Sequence, residues 1–369
     1  MSALPDPRAT YRAAVAAAAA GAGDSRTLWR NLGRAGVLLP VYPPPGERPE
    51  VDPDCLQDLL AELDARLRLG LVLSVCVQVA TVIPLLRAAA GDSPLADQVL
   101  TEALRGDAVT ALAATDAGLS GSALLDMRTE LRDDAEGVVL RGGKAWIANA
   151  SCCDYALVLA RHSPARHFTS FSWVLVPAGH AGVTCQPATT ELFTGAALGH
   201  LRFDDVRLGR EHVVGRRGRA LAEFAWHIGT ERLAGALWVR ALCRRVLQGT
   251  REYLQSRCAG EGMLWENAAI RERFARCLVE FRRLDALCAA YRAPGGGVAE
   301  GMLLKAGCAE SADRILGECV NLQGADAFRD GGLAVLRTQA AMFGIAGGAT
   351  GTMLAGVAEH ADELLRSTG

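Results

Sequence analysis

The chain has 369 residues, enough for two or three compact units with separate cores. Half of its residues are hydrophobic and the formal net charge is −2, which excludes proteins held to nucleic acid or anionic lipid by a strong basic surplus. Eleven cysteines are scattered without a CxxC pair or a Cys/His ligand spacing, so they read as reduced, mostly buried thiols of a cytoplasmic protein, and no metal site is expected.

The N-terminal part, residues 1–108, reads as helical. Residues 13–23 form an Ala-rich stretch that suits a helix and makes a weak signal-peptide core. An amphipathic segment carries Leu28, Trp29, Leu32, Val37 and Leu38, and a Pro-rich loop over residues 40–53 closes it. Helices follow at about 55–68, 69–88 and 93–105, with Asp54 and Asp92-Ser93-Pro94 as candidate caps. Residues 69–86 approach membrane-spanning length, but they carry Ser74, Gln78 and Thr81 and read as a buried core helix.

Over residues 109–212 the pattern turns strand-like. The runs AVTALAATD, TELRDD, GVVLRGGKAWIANA, DYALVLARH, FSWVLVPAG, GVTCQPATTEL and LGHLRFDDVRL are short, rich in Val, Thr and aromatics, and broken by Gly, Pro or an Asp-Ala-Glu-Gly turn. Such spacing predicts a closed barrel or a sandwich. Over residues 213–369 the helical period returns, with helices near 218–257, 266–293, 299–322 and 331–365 and a Pro/Gly linker at 293–297. The predicted class is α+β: an N-terminal helical domain (1–108), a middle β-barrel (109–212) and a C-terminal four-helix bundle (213–369).

Several segments resemble the acyl-CoA dehydrogenase family, in the family's order. Thr115-Asp116-Ala117-Gly118-Leu119-Ser120-Gly121-Ser122 is similar to its T-E-P-G-A-G-S-D loop, and Gly143-Lys144-Ala145-Trp146-Ile147-Ala148-Asn149-Ala150 to G-K-K-W-I-T-N-A. Phe203-Asp204-Asp205-Val206 with Val214-Gly215 resembles the exit from the barrel. Glu231-Arg232, Ser256-Arg257, Glu266-Asn267 and Lys305 fall where the bundle motifs fall, and both lysines of the chain, Lys144 and Lys305, lie in these segments.

The resemblance implies FAD bound between barrel and bundle across a subunit interface. It also implies a carboxylate that removes the α-proton of an acyl thioester while the β-hydride passes to flavin N5. That base needs a dry pocket, and the enolate oxygen needs hydrogen-bond donors. In most of the family the base is a Glu before a G-T-S turn, where this chain has Gly347 in Ile345-Ala346-Gly347-Gly348-Ala349-Thr350. The isovaleryl-CoA dehydrogenase branch carries its base in L-E-R-L on an earlier bundle helix. Residues 230–233 read Thr-Glu-Arg-Leu, so the resemblance assigns the base to Glu231 and leaves Gly347 a backbone N–H for the enolate oxygen. The competing reading makes Glu231 an ordinary helix residue paired with Arg232 or Arg251.

The resemblance further places Trp146, Ala148, Ser122, Arg257, Gln323, Gly324 and Thr350 at the cofactor, and Ser120, His227 and Arg232 at the substrate. Four of the family's flavin-contact motifs are altered, at Ala148, within Arg257-Cys258-Ala259-Gly260-Glu261 (which keeps the arginine and loses the aromatic), within Asn321-Leu322-Gln323-Gly324-Ala325-Asp326-Ala327-Phe328 and at Ala349. If each lost contact costs about 0.5–1.5 kcal/mol, together they weaken FAD by roughly two to four orders of magnitude. Three functions stay open: an FAD-dependent dehydrogenase of a CoA- or carrier-protein-bound acyl thioester in secondary metabolism, a cofactor-poor partner subunit of a hetero-oligomer, and flavin-dependent oxygenation or non-oxidative chemistry on the same fold. The partners expected are the acyl thioester and further subunits, in a homo- or hetero-oligomer, with no nucleic acid and no membrane.

Overall fold

A computed structural model describes residues 6–44, 50–121, 123–291 and 297–366. Ser122, part of the Pro-rich loop (45–49) and most of the Pro/Gly linker (292–296) lie outside the described residues. The chain forms two compact units, residues 1–231 and 232–369.

The first unit opens with helices α1 (Pro7–Ala19), α2 (Ser25–Arg34) and α3 (Pro53–Asp64), followed by α4 (Leu69–Val77), α5 (Ile83–Ala89) and α6 (Pro94–Arg105). One local rule starts three of them: a capping Asp or Ser followed by Pro at the first helical position. Asp6-Pro7, Asp52-Pro53 and Ser93-Pro94 each place a side-chain oxygen on a free N–H of the first turn. The cap of α3 is therefore Asp52 and not Asp54. Pro53, its N–H missing anyway, starts the helix two residues earlier than the apolar pattern suggests.

Leu69–Ala89 is a continuous apolar helical stretch, long enough to cross a membrane by composition, and its most apolar window is 89 % buried inside the protein. It is not uniformly α-helical: Gln78–Val82 form a π turn between α4 and α5. Pro84 has no N–H for the carbonyl four residues back, and the wider turn just upstream absorbs that mismatch.

All seven predicted strand runs form strands: β1 (Thr110–Ala113), β2 (Glu130–Asp134), β3 (Gly137–Ile147), β4 (Tyr155–Arg161), β5 (Phe171–Pro177), β6 (Val183–Pro187) and β7 (Gly199–Leu208). A short β8 (Val213–Val214) completes one sheet in the order β6-β7-β3-β2-β4-β5-β8, with β1 parallel to β4. Asp134 pairs with Gly137 across the expected Asp-Ala-Glu-Gly turn. One sheet face packs on the helices through Leu157, Leu159, Phe171, Trp173 and Leu175 against Leu85, Leu86 and Val99.

Helix α7 (Ala220–Ser256) ends before a small hairpin of β9 (Cys258–Ala259) and β10 (Gly262–Met263). Two long helices follow, α8 (Ala268–Tyr291) and α9 (Val298–Gln323). The fourth predicted helix, 331–365, is broken into α10 (Leu333–Ala340), α11 (Thr350–Glu359) and α12 (Ala361–Arg366). The physical reason is local: Gly347 and Gly348 take φ of +71° and +111°, which no α-helix contains. Arg273–Glu318 and Arg240–Asp285 ion pairs and a 2.8 Å Ser311–Glu280 hydrogen bond join neighbouring helices of the second unit. All eleven cysteines are free thiols.

Gly70 marks the tightest approach to α4, since a Cβ there would lie 2.3 Å from the Phe193 carbonyl oxygen. Gly70→Ala should cost about 1–3 kcal/mol by overpacking. At Gly235, within α7, a Cβ meets nothing within 4 Å among the described residues. Gly235→Ala should gain about 0.5–1 kcal/mol. Urea unfolding of the two variants checks both signs.

Candidate active site

In the first unit the candidate site starts at a fault in the β3–β7 ladder. Lys144 pairs with Leu201 but Ile147 pairs with Gly199, so three steps on β3 match two on β7. The extra residue is a β-bulge, and it throws Trp146 outward at φ +60°. The indole is 61 % exposed and meets His200 edge-on, with centroids 5.4 Å apart. Asn149 takes a second left-handed conformation, at φ +65°, and is fully buried. Ser74 holds it there: its hydroxyl donates to Asn149 Oδ1 (2.6 Å), and Asn149 Nδ2 donates to the Ser74 carbonyl (3.0 Å). Between them, the Ala148 methyl is buried.

Beneath the bulge lies an ion pair with almost no access to water. Lys144 Nζ donates to Asp116 Oδ1 at 2.6 Å and to the Ala114 carbonyl at 3.0 Å. Asp116 also accepts from the backbone N–H of Arg128 and Thr129 and from the Thr129 hydroxyl. Burial pushes the Lys144 ammonium down to about 8, with Asp116 opposing. Burial also works to raise Asp116, but Lys144 and the donors around the carboxylate outweigh it and hold Asp116 below its ordinary value. The pair locks the 115–121 loop against β3, and it leaves Ser120 exposed, its carbonyl accepting from Ala123 N–H. Ala117, Gly143, Thr184, Gln186, His200 and Arg202 line a cavity of about 410 Å³ on this strand face.

The Glu231 carboxylate is half-buried, and its Oε2 accepts a 3.0 Å hydrogen bond from the Thr81 hydroxyl. Burial pushes the nearby Cys76 thiol up to about 12, with Glu231 adding to the effect. One turn earlier, His227 is buried and its Nδ1 lies 2.8 Å from Glu50 Oε2, while Trp226 Nε1 donates to Glu50 Oε1 (2.7 Å). The sequence marks Thr81 as a polar residue in an apolar stretch but gives no sign of its partner, and nothing singles out Glu50, because the two contacts join residues 150 and 177 positions apart.

In the second unit Tyr253 gathers the cofactor candidates. Its hydroxyl lies 2.8 Å from Asp326 Oδ2 and 3.1 Å from the Gln323 carbonyl, and Arg257 Nη1 is 3.6 Å from the same carboxylate. Gln323 Nε2 donates to Thr250 Oγ1 (2.9 Å), and Gly324 ends α9 at φ +58°. Arg232 is buried near Tyr291 and Gly301, within the helices. Lys305 donates to the Phe343 carbonyl and so caps the turn that leads into Gly347. Thr350 Oγ1 donates to the Gly344 carbonyl (3.2 Å), which closes that turn from the other side.

Two family models match the chain: the acyl-CoA dehydrogenase middle domain over residues 111–206, and the acyl-CoA dehydrogenase C-terminal domain over 218–361. The chain belongs to the acyl-CoA dehydrogenase family. It is 28 % identical over 245 residues to an acyl-[acyl-carrier-protein] dehydrogenase of Mycobacterium bovis, across 63 % of this chain and 61 % of that one. It is 29 % identical over 195 residues to an L-prolyl-[peptidyl-carrier protein] dehydrogenase of a Serratia species, across 51 % of this chain and 49 % of that one. Both matches thus span less than two thirds of the relative's length. Among solved structures, an acyl-CoA dehydrogenase from Geobacillus kaustophilus superposes with a TM-score of 0.87 at 19 % identity, covering 98 % of this chain and 99 % of that one. The FAD complex of PigA gives a TM-score of 0.85 at 19 % identity, covering 97 % and 98 %.

Within this acyl-CoA dehydrogenase fold, the Lys144–Asp116 pair is a nearly water-free ion pair, with side chains 0 % and 4 % exposed. Asp116→Asn leaves a buried ammonium without its counter-charge and should cost about 3–5 kcal/mol, while Asp116→Asn with Lys144→Met should recover much of that. Because the folded-state value of Asp116 is depressed, its contribution is present above the unfolded carboxylate range and fades as pH falls through the folded value. Urea midpoints at neutral and acid pH check both the order of the variants and the sign.

Proposed function

We propose that this chain is an FAD-dependent dehydrogenase of an acyl thioester with Glu231 as the α-proton base. The observation that carries this reading is the half-buried Glu231 carboxylate fixed by Thr81, at the position where the alternative base of the family falls. Gly347 has no side chain and cannot do this work, and its left-handed backbone is the kind of conformation glycine accepts without strain. A carboxylate removed from bulk water is a stronger base than one in solution, which suits a weakly acidic thioester α-proton.

The residues present fit a flavin. Trp146 is a large aromatic held outward in a left-handed backbone that costs about 1–3 kcal/mol, so the fold spends stability to present that ring. Beside it, His200, Thr184 and Gln186 place hydrogen-bonding groups along the cavity. In the second unit, the Arg257 guanidinium suits a pyrophosphate. Bound FAD would supply the two-electron acceptor for the β-hydride. Of the chain's own residues, Glu231 takes the α-proton, its carboxylate held by Thr81 of the buried Leu69–Ala89 stretch. The relatives named for carrier-protein substrates support a carrier-bound thioester as the substrate.

A second reading, a cofactor-poor partner subunit, has two observations in its favour: the buried methyl of Ala148 offers no hydrogen bond, and Arg257 already faces Asp326. The visible absorption spectrum of the purified protein with added FAD separates the two. The dehydrogenase reading expects a bound-flavin spectrum that bleaches anaerobically with an acyl-CoA or acyl-carrier-protein thioester. Glu231→Gln should keep the flavin and slow the bleaching about 10²- to 10⁴-fold. A colourless protein that takes up no FAD supports the partner-subunit reading instead.

A further inference from the structure

The buried stretch Leu69–Ala89 carries three polar side chains, Ser74, Gln78 and Thr81, all with no exposed surface. Spacings of four and three put them on one face of a helix. Each engages a different element: Ser74 bonds Asn149 beside the bulge, Gln78 Oε1 accepts from the Thr110 backbone N–H (3.0 Å) on β1, and Thr81 donates to Glu231 on α7. A threonine in a helix ordinarily returns its hydroxyl to a carbonyl of the preceding turn. Here the hydroxyl donates to a carboxylate 150 positions away in the chain. The π turn over Gln78–Val82 is what separates this residue from regular α-helical register, and the neighbours Ala80 and Val82 offer no polar group.

We propose that Thr81 is the positioning residue of Glu231: the π turn aims its hydroxyl at the carboxylate and fixes the rotamer from which Glu231 takes the substrate proton. The proposal rests on the reading of Glu231 as the base. A glutamate has three rotatable bonds between backbone and carboxylate, and proton transfer demands one geometry out of the many they allow. The donor that selects it, Thr81, has no exposed surface, and Ser74 and Gln78 tie the same helix to the sheet. The same helix therefore sets the base through Thr81 and the Trp146 bulge through Ser74.

The test uses the FAD-loaded protein and a set of straight- and branched-chain acyl-CoA thioesters, with the rate of anaerobic flavin bleaching followed as thioester concentration is varied. Thr81→Val should lower the limiting rate about ten- to a hundredfold with half-saturation within about twofold, as expected for a base misplaced by a fraction of an ångström. Thr81→Ser, which keeps the hydroxyl, should restore the rate to within about threefold. Thermal unfolding of Thr81→Val, Glu231→Gln and the double variant gives a measurement that needs no substrate, and the two shifts in Tm should fail to add. A Thr81→Val protein that bleaches at the wild-type rate while Glu231→Gln does not overturns the positioning role alone. Additive shifts in Tm, or a Thr81→Ser protein as slow as Thr81→Val, also overturn it. A Glu231→Gln protein at the wild-type rate removes the base assignment, and the catalytic role of Thr81 with it.

Discussion

A polar side chain with no access to water is stabilised by a partner inside the protein, and in the first unit three such side chains, each with at least one partner, stand on one buried helix. Ser74, Gln78 and Thr81 interrupt a stretch otherwise apolar enough to sit in a membrane. Leaving one of them unsatisfied costs about 1–3 kcal/mol, so each bond restrains the element at its other end. Those elements are the segment after the Trp146 bulge, the first strand of the sheet, and the helix that carries Glu231. The residues that matter most to the proposed chemistry are thus referenced to one rigid body and not to each other through loops.

The strand side of that body combines strain with compensation. Trp146 and Asn149 occupy backbone conformations that L-residues avoid, and the bulge between them would relax if nothing opposed it. Two buried interactions oppose it. Asn149 is held at both side-chain atoms by Ser74, and Lys144, at the start of the bulge, is tied to Asp116 in a buried ion pair. The 115–121 loop and the bulge are therefore coupled through this ion pair and through the backbone hydrogen bonds Ala117 N–H to Gly143 and Ala145 N–H to Thr115.

The second unit uses weaker, more local devices for a similar purpose. Lys305 and Thr350 close on the carbonyls of the 341–344 turn, so the two consecutive left-handed glycines that follow start from a defined point. Tyr253 gathers Asp326 and the Gln323 carbonyl, and Arg257 faces the same carboxylate. An exposed Arg–Asp contact of 3.6 Å is worth little by itself, which leaves the guanidinium available for a stronger anion.

Local chemistry is what the sequence by itself determined. Strand alternation and turn residues located all seven main strands, helical periodicity located the long helices, and the ordered motifs around Lys144 and Glu231 pointed to the family that two domain models then matched. These signals are legible because they act between residues a few positions apart. The break of the last predicted helix was also written locally, in Gly347-Gly348, but a glycine pair tolerates a helix as well as a turn, so only the packed chain chose. The hydroxyl that fixes Glu231, the Glu50 carboxylate between Trp226 and His227, and the outward turn of Trp146 could not be read in advance. Each depends on two segments far apart in the chain meeting at hydrogen-bond distance. That meeting is decided by the tertiary fold, because burial turns a contact invisible in one dimension into an obligation in three.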